Sequence, residues 1–255
     1  MAILESIGIV KNFGGIRALD KLDFEVERGA IFGLIGPNGS GKTTMLNIIA
    51  GLLKPTVGNI LYKGERIKGL HPHQIAAIGI MRTFQLINIF SNLTAKENII
   101  HSMHLKAKND FWGSLFNTKG YRGEAVKLSR KAEEILAFLG IEGRQGMSAE
   151  SLSSGEQRAL ELGIALAGEP ELLLLDEPAA GLNPEEWTRL IKVIQSIQQK
   201  GITSIVVEHN MKVVMGLCTR VLVIDCGRKV AEGSPEEIVH NEKVVSIYLG
   251  EKEYA

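Results

Sequence analysis

The sequence predicts an α/β fold built on a mostly parallel sheet, and three observations support this prediction. Short, continuous apolar runs recur along the chain, and segments with helical periodicity separate them. Many of the 28 glycines stand where those runs end, as turns require. Strands that are apolar throughout are typical of sheets buried on both faces. The chain is therefore expected to fold around a covered, parallel sheet.

The first 30 residues follow a different pattern from the rest. LESIGIVKNF and LDKLDFEVERG alternate apolar and polar positions, which predicts an antiparallel β lobe with one solvated face. Residues 30–35 (AIFGLI) form the first predicted buried strand. The other buried strands are predicted at 172–175, 205–207 and 221–224.

The middle of the chain is richer in helical periodicity and predicts a helical subdomain inserted into the core. The strongest helical patterns are at 124–139 and 155–166, and a later helix is predicted at 185–199. Residues 109–123 contain several aromatics without a clear period, so we predict a surface excursion there. We accordingly divide one domain into residues 1–85 (β lobe and phosphate-loop region), 86–170 (helical subdomain) and 171–255 (remainder of the core).

Composition and charge exclude several functions. The chain has 255 residues, and its 29 basic residues balance its 29 acidic ones, so a protein that grips nucleic acid is not expected. No apolar run approaches the roughly 18 residues that span a bilayer, and the N-terminus does not resemble a secretory signal. Cys218 and Cys226 are too few for a disulfide framework. We predict a cytoplasmic protein whose two cysteines are reduced packing residues.

A glycine-rich loop after the first buried strand is the most specific local motif. It fits the pattern G-x-x-x-x-G-K-[ST], in which glycines let backbone N–H groups surround phosphates at a helix N-terminus. The lysine of this pattern reaches the terminal phosphates, and the hydroxyl that follows it binds Mg²⁺. A glycine-rich turn that only caps a helix is the alternative. The candidate nucleotide-binding residues are Gly36, Pro37, Asn38, Gly39, Ser40, Gly41, Lys42, Thr43 and Thr44.

Two acidic residues follow the second predicted strand. Asp176 is placed to organise Mg²⁺, which takes few protein ligands beside phosphates and water, with Thr43 as a second ligand. Glu177 can act as a general base toward the attacking water, an effect of about 10²–10⁴-fold. Two solvated acids that merely close a strand are the structural alternative. Together with the loop, the acids predict a Mg²⁺-dependent nucleotide hydrolase.

Further motifs accompany the loop in a fixed order. LSSGEQ occupies residues 152–157, at the start of the helix predicted at 155–166. The other motifs are Phe13, Gln85 in RTFQ, LLLLDEP, AGLNP and His209. In this order and spacing the chain resembles the ATP-binding cassette proteins, and the resemblance covers nearly its whole length. Taken alone, LSSGEQ is as well explained by a helix N-cap, and the single residues by ordinary structural roles.

The resemblance implies a phosphate-loop ATPase core of the RecA type. It implies that Phe13 stacks on adenine, that Gln85 contacts Mg²⁺ and assists hydrolysis, and that His209 is the switch histidine, a candidate catalytic residue together with Gln85 and Glu177. It also implies a head-to-tail dimer that holds two ATP molecules between its subunits. Ser153, Ser154, Gly155 and Glu156 would then contact the ATP bound to the second subunit.

Departures from the commonest motifs remove no group that performs chemistry. Ser154 replaces the first glycine of the signature, Glu156 replaces its glutamine, and Asn183 stands where aspartate is frequent. We therefore keep the prediction of an ATPase and expect changes only in its rate or its dimer affinity.

AAGLNP, the stretch that begins VVEHNMK, and the YLGE tail resemble the ATP-binding subunits of Liv-type branched-chain amino-acid importers. Urea and amide importers share this architecture, so the cargo stays open. The implied partners are membrane permease subunits, a second ATPase subunit that is identical or paralogous and, indirectly, a solute-binding receptor. The implied location is the inner face of the cell membrane, as a peripheral protein.

Two other classes compete with this interpretation. A soluble cassette protein of DNA repair or of the ribosome shares the ATP site, but those types carry a long coiled coil or two cassettes in tandem. Another phosphate-loop enzyme, such as a kinase or GTPase, would make LSSGEQ and His209 coincidences.

Two smaller features are open to more than one interpretation. Residues 86–90 either receive a helix of a membrane subunit or belong to the core. Neither His71 with His73 nor His101 with His104 has acidic or cysteine neighbours at metal-ligand spacing, so we expect exposed or capping roles for them.

Overall fold

The computed structural model describes residues 1–83, 89–104 and 119–250. Gln85 and most of the predicted surface excursion lie outside the described residues. The chain forms two compact units. The first comprises Met1–Gln85, Glu171–Ala180 and Ile194–Ala255, and the second comprises Leu86–Pro170 and Gly181–Val193.

All strands of the described chain belong to the first unit. They are β1 (Ala2–Phe13), β2 (Ile16–Glu27), β3 (Ile31–Ile35), β4 (Val57–Tyr62), β5 (Glu65–Arg66), β6 (Ile80–Arg82), β7 (Leu172–Asp176), β8 (Thr203–Val207), β9 (Arg220–Asp225) and β10 (Arg228–Gly233). The smaller sheet has the order β2-β1-β4-β5 and is antiparallel. The alternating pattern of the first 30 residues therefore predicts this lobe correctly, and bulges between Ser6 and Ile9 interrupt the alternation.

The larger sheet has the order β10-β9-β3-β8-β7-β6. Its pairs are parallel except for β10 at the edge. Every residue of β3, β7 and β8 is buried, as their continuous apolar runs predict. Parallel strands end at the same edge, and the register places Val207 beside both Leu34 and Asp176. The loops that follow β3, β7 and β8 therefore start from one edge of the sheet.

The helices of the described residues are α1 (Lys42–Ile49), α2 (Pro72–Ala77), α3 (Ala95–His104), α4 (Lys119–Phe138), α5 (Ser154–Ala167), α6 (Pro184–Gln199), α7 (Met211–Leu217), α8 (Pro235–Val239) and α9 (Glu242–Gly250). In the first unit, apolar side chains from both sheets and from α1 form one buried cluster. Phe24 of β2 stacks on Phe32 of β3, with 5.5 Å between the ring centroids. The cluster thus joins the antiparallel lobe to the parallel sheet.

The second unit contains α3, α4, α5 and the first ten residues of α6. Gly163 lies where α5 packs closely, because a Cβ there would be 2.7 Å from Leu139 Cδ1 and 3.2 Å from Ile99 Cδ1. Inside α5, Arg158 and Glu161 form a buried ion pair at 2.9 Å. The predicted helices at 124–139, 155–166 and 185–199 are confirmed, with ends that differ by at most five residues.

One packing prediction is wrong. Cys218 is buried, but Cys226 is exposed. Cys226 occupies the turn between β9 and β10 with a φ of 45°, so its side chain lies outside the sheet rather than within a strand. The prediction treated both cysteines alike because neither has a disulfide or metal partner, whereas the turn after β9 exposes Cys226.

Candidate nucleotide-binding and catalytic site

The phosphate loop follows β3 and leads into α1. Gly36 cannot carry a side chain, because a Cβ would lie 2.0 Å from the carbonyl oxygen of Ile224. Gly41 has a φ of 106°, and a Cβ there would lie 2.7 Å from the carbonyl oxygen of Ala18. Both glycines therefore let backbone pass where no other residue fits. The result is a close turn that ends at the positive N-terminus of α1.

The side chains of the loop suit an anion. Lys42 is buried, and its Nζ donates to the carbonyl oxygens of Gly36 at 2.7 Å and Pro37 at 2.8 Å. The buried hydroxyl of Ser40 has no hydrogen-bond partner in the described part of the chain, and such a group normally has one. Thr43 is exposed. A cradle without room for Cβ atoms, with an unpaired hydroxyl and an ammonium group, fits the phosphates of a nucleotide.

The turn between β9 and β10 braces this loop. The Gly227 N–H donates to the Ser40 carbonyl at 3.0 Å, and the Asp20 N–H donates to the Gly227 carbonyl at 2.9 Å. The exposed Cys226 is the residue before Gly227. Backbone hydrogen bonds from the turn between β9 and β10 therefore hold the loop. No sequence motif predicted this contact.

Asp176 ends β7 as a buried carboxylate with a cationic neighbour. Its Oδ2 accepts from Arg82 at 2.8 Å, and Arg82 also donates to Asn47 Oδ1 at 2.5 Å. The side chains of Arg82 and Asp176 are 8% and 4% exposed, so water screens this pair little. Arg82 thus connects the candidate Mg²⁺ ligand to α1, a contact that the motifs did not predict.

Glu177 directly follows, in an unusual backbone conformation. Its φ of 48° lies in the left-handed region, which costs a residue other than glycine roughly 1–2 kcal/mol. Its Oε1 lies 3.6 Å from Nδ1 of His209. His209 is exposed. The structure therefore brings together the two predicted catalytic residues that follow β7 and β8.

Glu208, which precedes His209, is a functional candidate that no sequence motif indicates. It is 2% exposed, and burial raises the pKa of its carboxyl group. The sequence does contain a signal for Glu208, because an acidic residue directly follows an apolar run there. Asp176 was identified from the same pattern.

The signature residues lie in the second unit, at the start of α5. Ser153 is the N-cap: its hydroxyl accepts from the Glu156 N–H at 3.3 Å, and Glu156 accepts from the Ser153 N–H at 2.9 Å. A hydrogen bond from Arg144 lowers the pKa of Glu156. Gly155 lies against Glu186, and a Cβ there would be 3.0 Å from that side chain. Ser154 is exposed. LSSGEQ therefore caps α5, and its contact with ATP stays a prediction.

The structure shows no contact between two of the predicted site residues, Phe13 and Gln85, and the described residues of the phosphate loop, Asp176, Glu177 and His209. Phe13, at the end of β1, is 45% exposed, and the Lys11 ammonium lies 4.9 Å from its ring centroid. Gln85 lies outside the described residues. Of the histidine pairs, His71 and His73 stack in parallel at 5.9 Å, while His101 meets the ring of Phe90 edge-on at 4.9 Å.

A phosphate loop at the carboxyl edge of a parallel sheet, with paired acids two strands away, defines the class of phosphate-loop nucleotide hydrolases. Comparison with known proteins identifies the family. A model described as "ABC transporter" matches residues 19–180, and one described as "Branched-chain amino acid ATP-binding cassette transporter" matches residues 228–254. The chain belongs to the ABC transporter family, and it is an ATP-binding ATPase subunit of a transporter.

Individual relatives agree with this family. The chain is 38% identical over 250 residues to the high-affinity branched-chain amino acid transport ATP-binding protein LivG of Escherichia coli (strain K12), covering 98% of each. It is similar to the crystal structure of a nucleotide-free ATP-binding cassette from an ABC transporter, with a TM-score of 0.85, 32% identity and coverage of 97% and 99% of the two chains.

A third similarity is to a dimeric cassette structure in a post-hydrolysis state with ADP and Pi, with a TM-score of 0.76, 25% identity and coverage of 91% and 98%. The predicted fold class, family and ATPase activity are thus confirmed, whereas the roles of individual residues stay predictions. Among the described helices, none is long and apolar enough to cross a membrane.

Proposed function

We propose that this ATPase subunit powers the import of branched-chain amino acids. The name of its Escherichia coli relative and the family model that matches its C-terminal residues support this cargo. Urea and amide importers remain the alternative, because the cargo does not touch the ATPase subunit.

The catalytic proposal is carried by one observation, the separation of 3.6 Å between the Glu177 carboxylate and the His209 imidazole at the sheet edge. We infer that Glu177 accepts the proton of the attacking water and that His209 orients the reacting groups beside it. The resemblance also implies that Gln85 assists hydrolysis. Gln85 lies outside the described residues. A positioned general base contributes about 10²–10⁴-fold to a reaction rate.

We infer that Mg²⁺ is held by Asp176, the hydroxyl of Thr43 and, following the resemblance, Gln85. These are the oxygen ligands that this ion prefers, and Asp176 keeps its second carboxylate oxygen beside the one bonded to Arg82. When bound, the ion would neutralise charge that develops on the phosphates. Arg82 holds the carboxylate in place, and Lys42 compensates phosphate charge within the loop.

We propose that Phe13 stacks on adenine. The Lys11 ammonium lies over the ring, and nearly half of the residue is exposed. Stacking by an aromatic side chain contributes roughly 1–3 kcal/mol per base and tolerates different bases. We therefore expect only a modest preference for adenine over guanine from this contact.

The signature residues are proposed to act on ATP bound to a second cassette subunit, identical or paralogous. They start α5, so their N–H groups and the helix N-terminus can meet an anion. A related cassette was solved as a dimer with ADP and Pi, which supports a dimer for this chain. Ser153, Ser154, Gly155 and Glu156 are the residues in question.

We further propose that the dimer attaches to membrane permease subunits at the inner face of the cell membrane, where a solute receptor delivers the cargo from the other side. Phe90, the last residue of the predicted groove at 86–90, is 55% exposed, which favours a contact surface over core for this residue. Residues 86–88 lie outside the described chain. Phe90→Glu should leave ATPase activity intact and prevent copurification with the permease subunits; normal assembly would exclude the groove.

The dimer and the general base are tested together with Glu177→Gln. We expect this variant to bind ATP, to hydrolyse it at least about a hundredfold more slowly, and to elute as a dimer in size-exclusion chromatography with ATP and Mg²⁺. Glu65→Gln, a change of an exposed acid in β5, is the matched control and should behave as wild type. A Glu177→Gln protein that stays monomeric at high concentration contradicts the ATP-holding dimer.

The cargo is tested separately. The chain is purified from native membranes, the subunits that accompany it are identified, and the solute receptor is titrated with leucine and with urea. Binding of leucine alone supports the proposal, and binding of urea alone contradicts it.

A further inference from the structure

Glu208 is a buried acid that directly follows β8. It has no role in the binding of nucleotide or Mg²⁺ or in the proton transfer proposed above. Only 2% of the residue is exposed, and burial raises the pKa of its carboxyl group. Removing a carboxylate from water costs free energy unless hydrogen bonds or charges compensate. The contacts around this buried acid must therefore compensate the cost of its burial. Its position directly before the candidate catalytic residue His209 makes those contacts relevant to function.

The carboxylate of Glu208 joins two separate turns of the chain. Its Oε1 accepts a hydrogen bond from the Ala179 N–H at 3.1 Å. Its Oε2 accepts one from the N–H of the neighbouring His209 at 3.3 Å. A single side chain thus connects the turn that contains Glu177 to the backbone of His209.

The first of these turns holds Glu177 in its left-handed conformation. Such a conformation is strained for a residue other than glycine and persists only where neighbours hold it. The Glu177 N–H donates to the Val207 carbonyl at 2.9 Å, and its own carbonyl accepts from the Ala180 N–H at 3.0 Å. The hydrogen bond from Ala179 to Glu208 adds a side-chain anchor to the same turn.

We propose that Glu208 is a positioning residue for ATP hydrolysis, whose carboxylate holds the backbones of the Glu177 turn and of His209 in one arrangement. The proposal rests on the assignment of Glu177 as the general base. Because the Glu177 carboxylate and the His209 ring are 3.6 Å apart, a shift of either turn changes their separation directly. A misplacement of about 1 Å can slow catalysis about a hundredfold.

Two substitutions test the proposal. Glu208→Gln keeps one oxygen acceptor but turns the other into a donor that faces a backbone N–H, and Glu208→Leu removes both acceptors. We expect kcat for ATP hydrolysis to fall about tenfold in Glu208→Gln and about a hundredfold in Glu208→Leu. KM for ATP should stay within about twofold of wild type in both, because the phosphate loop follows a different strand.

A matched control separates positioning from simple loss of stability. The Glu232 side chain is 10% exposed and is paired with Arg220 at 2.6 Å, so Glu232→Gln should lower the melting temperature without changing kcat. A Glu208→Gln enzyme with wild-type kcat overturns the proposal. So does a Glu208→Gln enzyme whose kcat loss is matched by a similar loss in Glu232→Gln at an equal fall in melting temperature. If Glu208→Leu does not fold, Glu208→Gln still decides.

A double variant shows whether Glu208 acts through Glu177. Added to Glu177→Gln, the change Glu208→Gln should lower the residual turnover by less than about twofold, because the Glu177–His209 arrangement that Glu208 holds has already lost its base. A further loss of about tenfold overturns the proposal. Failure of the base assignment looks different, since Glu177→Gln alone would then keep wild-type turnover. Failure of positioning alone leaves Glu177→Gln slow and Glu208→Gln fully active.

Discussion

At the residue scale, Gly36 shows how little space the phosphate loop leaves. A Cβ at this position would meet the carbonyl oxygen of Ile224 at 2.0 Å and the Ser40 hydroxyl at 2.8 Å. The first of these atoms belongs to the backbone of a buried strand, so the loop itself must move. We expect Gly36→Ala to lower the free energy of unfolding by about 1–3 kcal/mol and to weaken ATP binding, measured by urea denaturation and calorimetric titration.

Gly143→Ala is the control for this change, because its Cβ would have no neighbour within 4 Å and its φ lies outside the left-handed range. Its free energy of unfolding should stay within about 0.5 kcal/mol of wild type. Equal losses of ATP affinity in the two variants would show that the overlap at Gly36 is not the cause.

Arg82 supports a second residue-scale prediction. It forms a buried ion pair with Asp176 and a hydrogen bond with Asn47. Removing one partner of such a pair leaves an uncompensated buried charge, so Arg82→Met should lower the free energy of unfolding by about 3–5 kcal/mol. Arg82→Lys keeps the charge but loses the forked geometry and should cost less. Denaturant unfolding without nucleotide measures both, and a fully stable Arg82→Met protein contradicts the prediction.

The predicted site residues show what motifs can and cannot supply. Gly36, Gly41 and Lys42 follow from spacing, because phosphate chemistry restricts the residue types allowed. Arg82 and Glu208 do not follow from it, because their roles depend on contacts between segments far apart in the chain. The left-handed conformation of Glu177 was equally invisible, since it arises from the hydrogen bonds of its turn.

At the scale of the element, two helices of the described chain begin with a Ser-x-x-Glu capping box. In α5 the Ser153 hydroxyl accepts from the Glu156 N–H at 3.3 Å, and in α8 the Ser234 hydroxyl accepts from the Glu237 N–H at 3.2 Å. Ser153→Ala and Ser234→Ala should each cost about 1 kcal/mol of stability. Only Ser153→Ala should also slow ATP turnover, because only that helix carries the signature.

Thermal unfolding and steady-state phosphate release measure these two effects. Slowing of turnover by the same factor in both variants would mean that lost capping, rather than a contact to ATP, explains the effect of Ser153→Ala.

Secondary structure was predicted best where burial is complete. The buried runs of β3, β7 and β8 and the pattern of α5 gave elements with nearly correct ends, because these segments have one environment along their length. The short strands β5 and β6 were not predicted, since two or three residues carry no period. The exposure of Cys226 was missed because the turn between β9 and β10 was not predicted.

At the scale of the whole molecule, the order of strands was beyond the sequence. Continuous apolar runs predict a parallel sheet but not that β8 lies between β3 and β7. That order puts Glu208 and His209 between the phosphate loop and the two acids. The catalytic arrangement therefore depends on a strand order that local sequence patterns do not encode. The fold class depends on burial, and local sequence patterns do encode burial.

The turn that braces the phosphate loop also offers a point of chemical attachment. Cys226 precedes Gly227, which bonds to Ser40. The charge of Asp225 raises the pKa of the Cys226 thiol, but this thiol is exposed, whereas Cys218 is buried and burial raises its pKa to about 12. Because the thiolate is the reactive form, a maleimide dye at mildly alkaline pH should label Cys226 alone, as peptide mass spectrometry can verify. The natural chain, without any substitution, would then carry a single fluorophore whose emission reports the arrival and departure of ATP in real time.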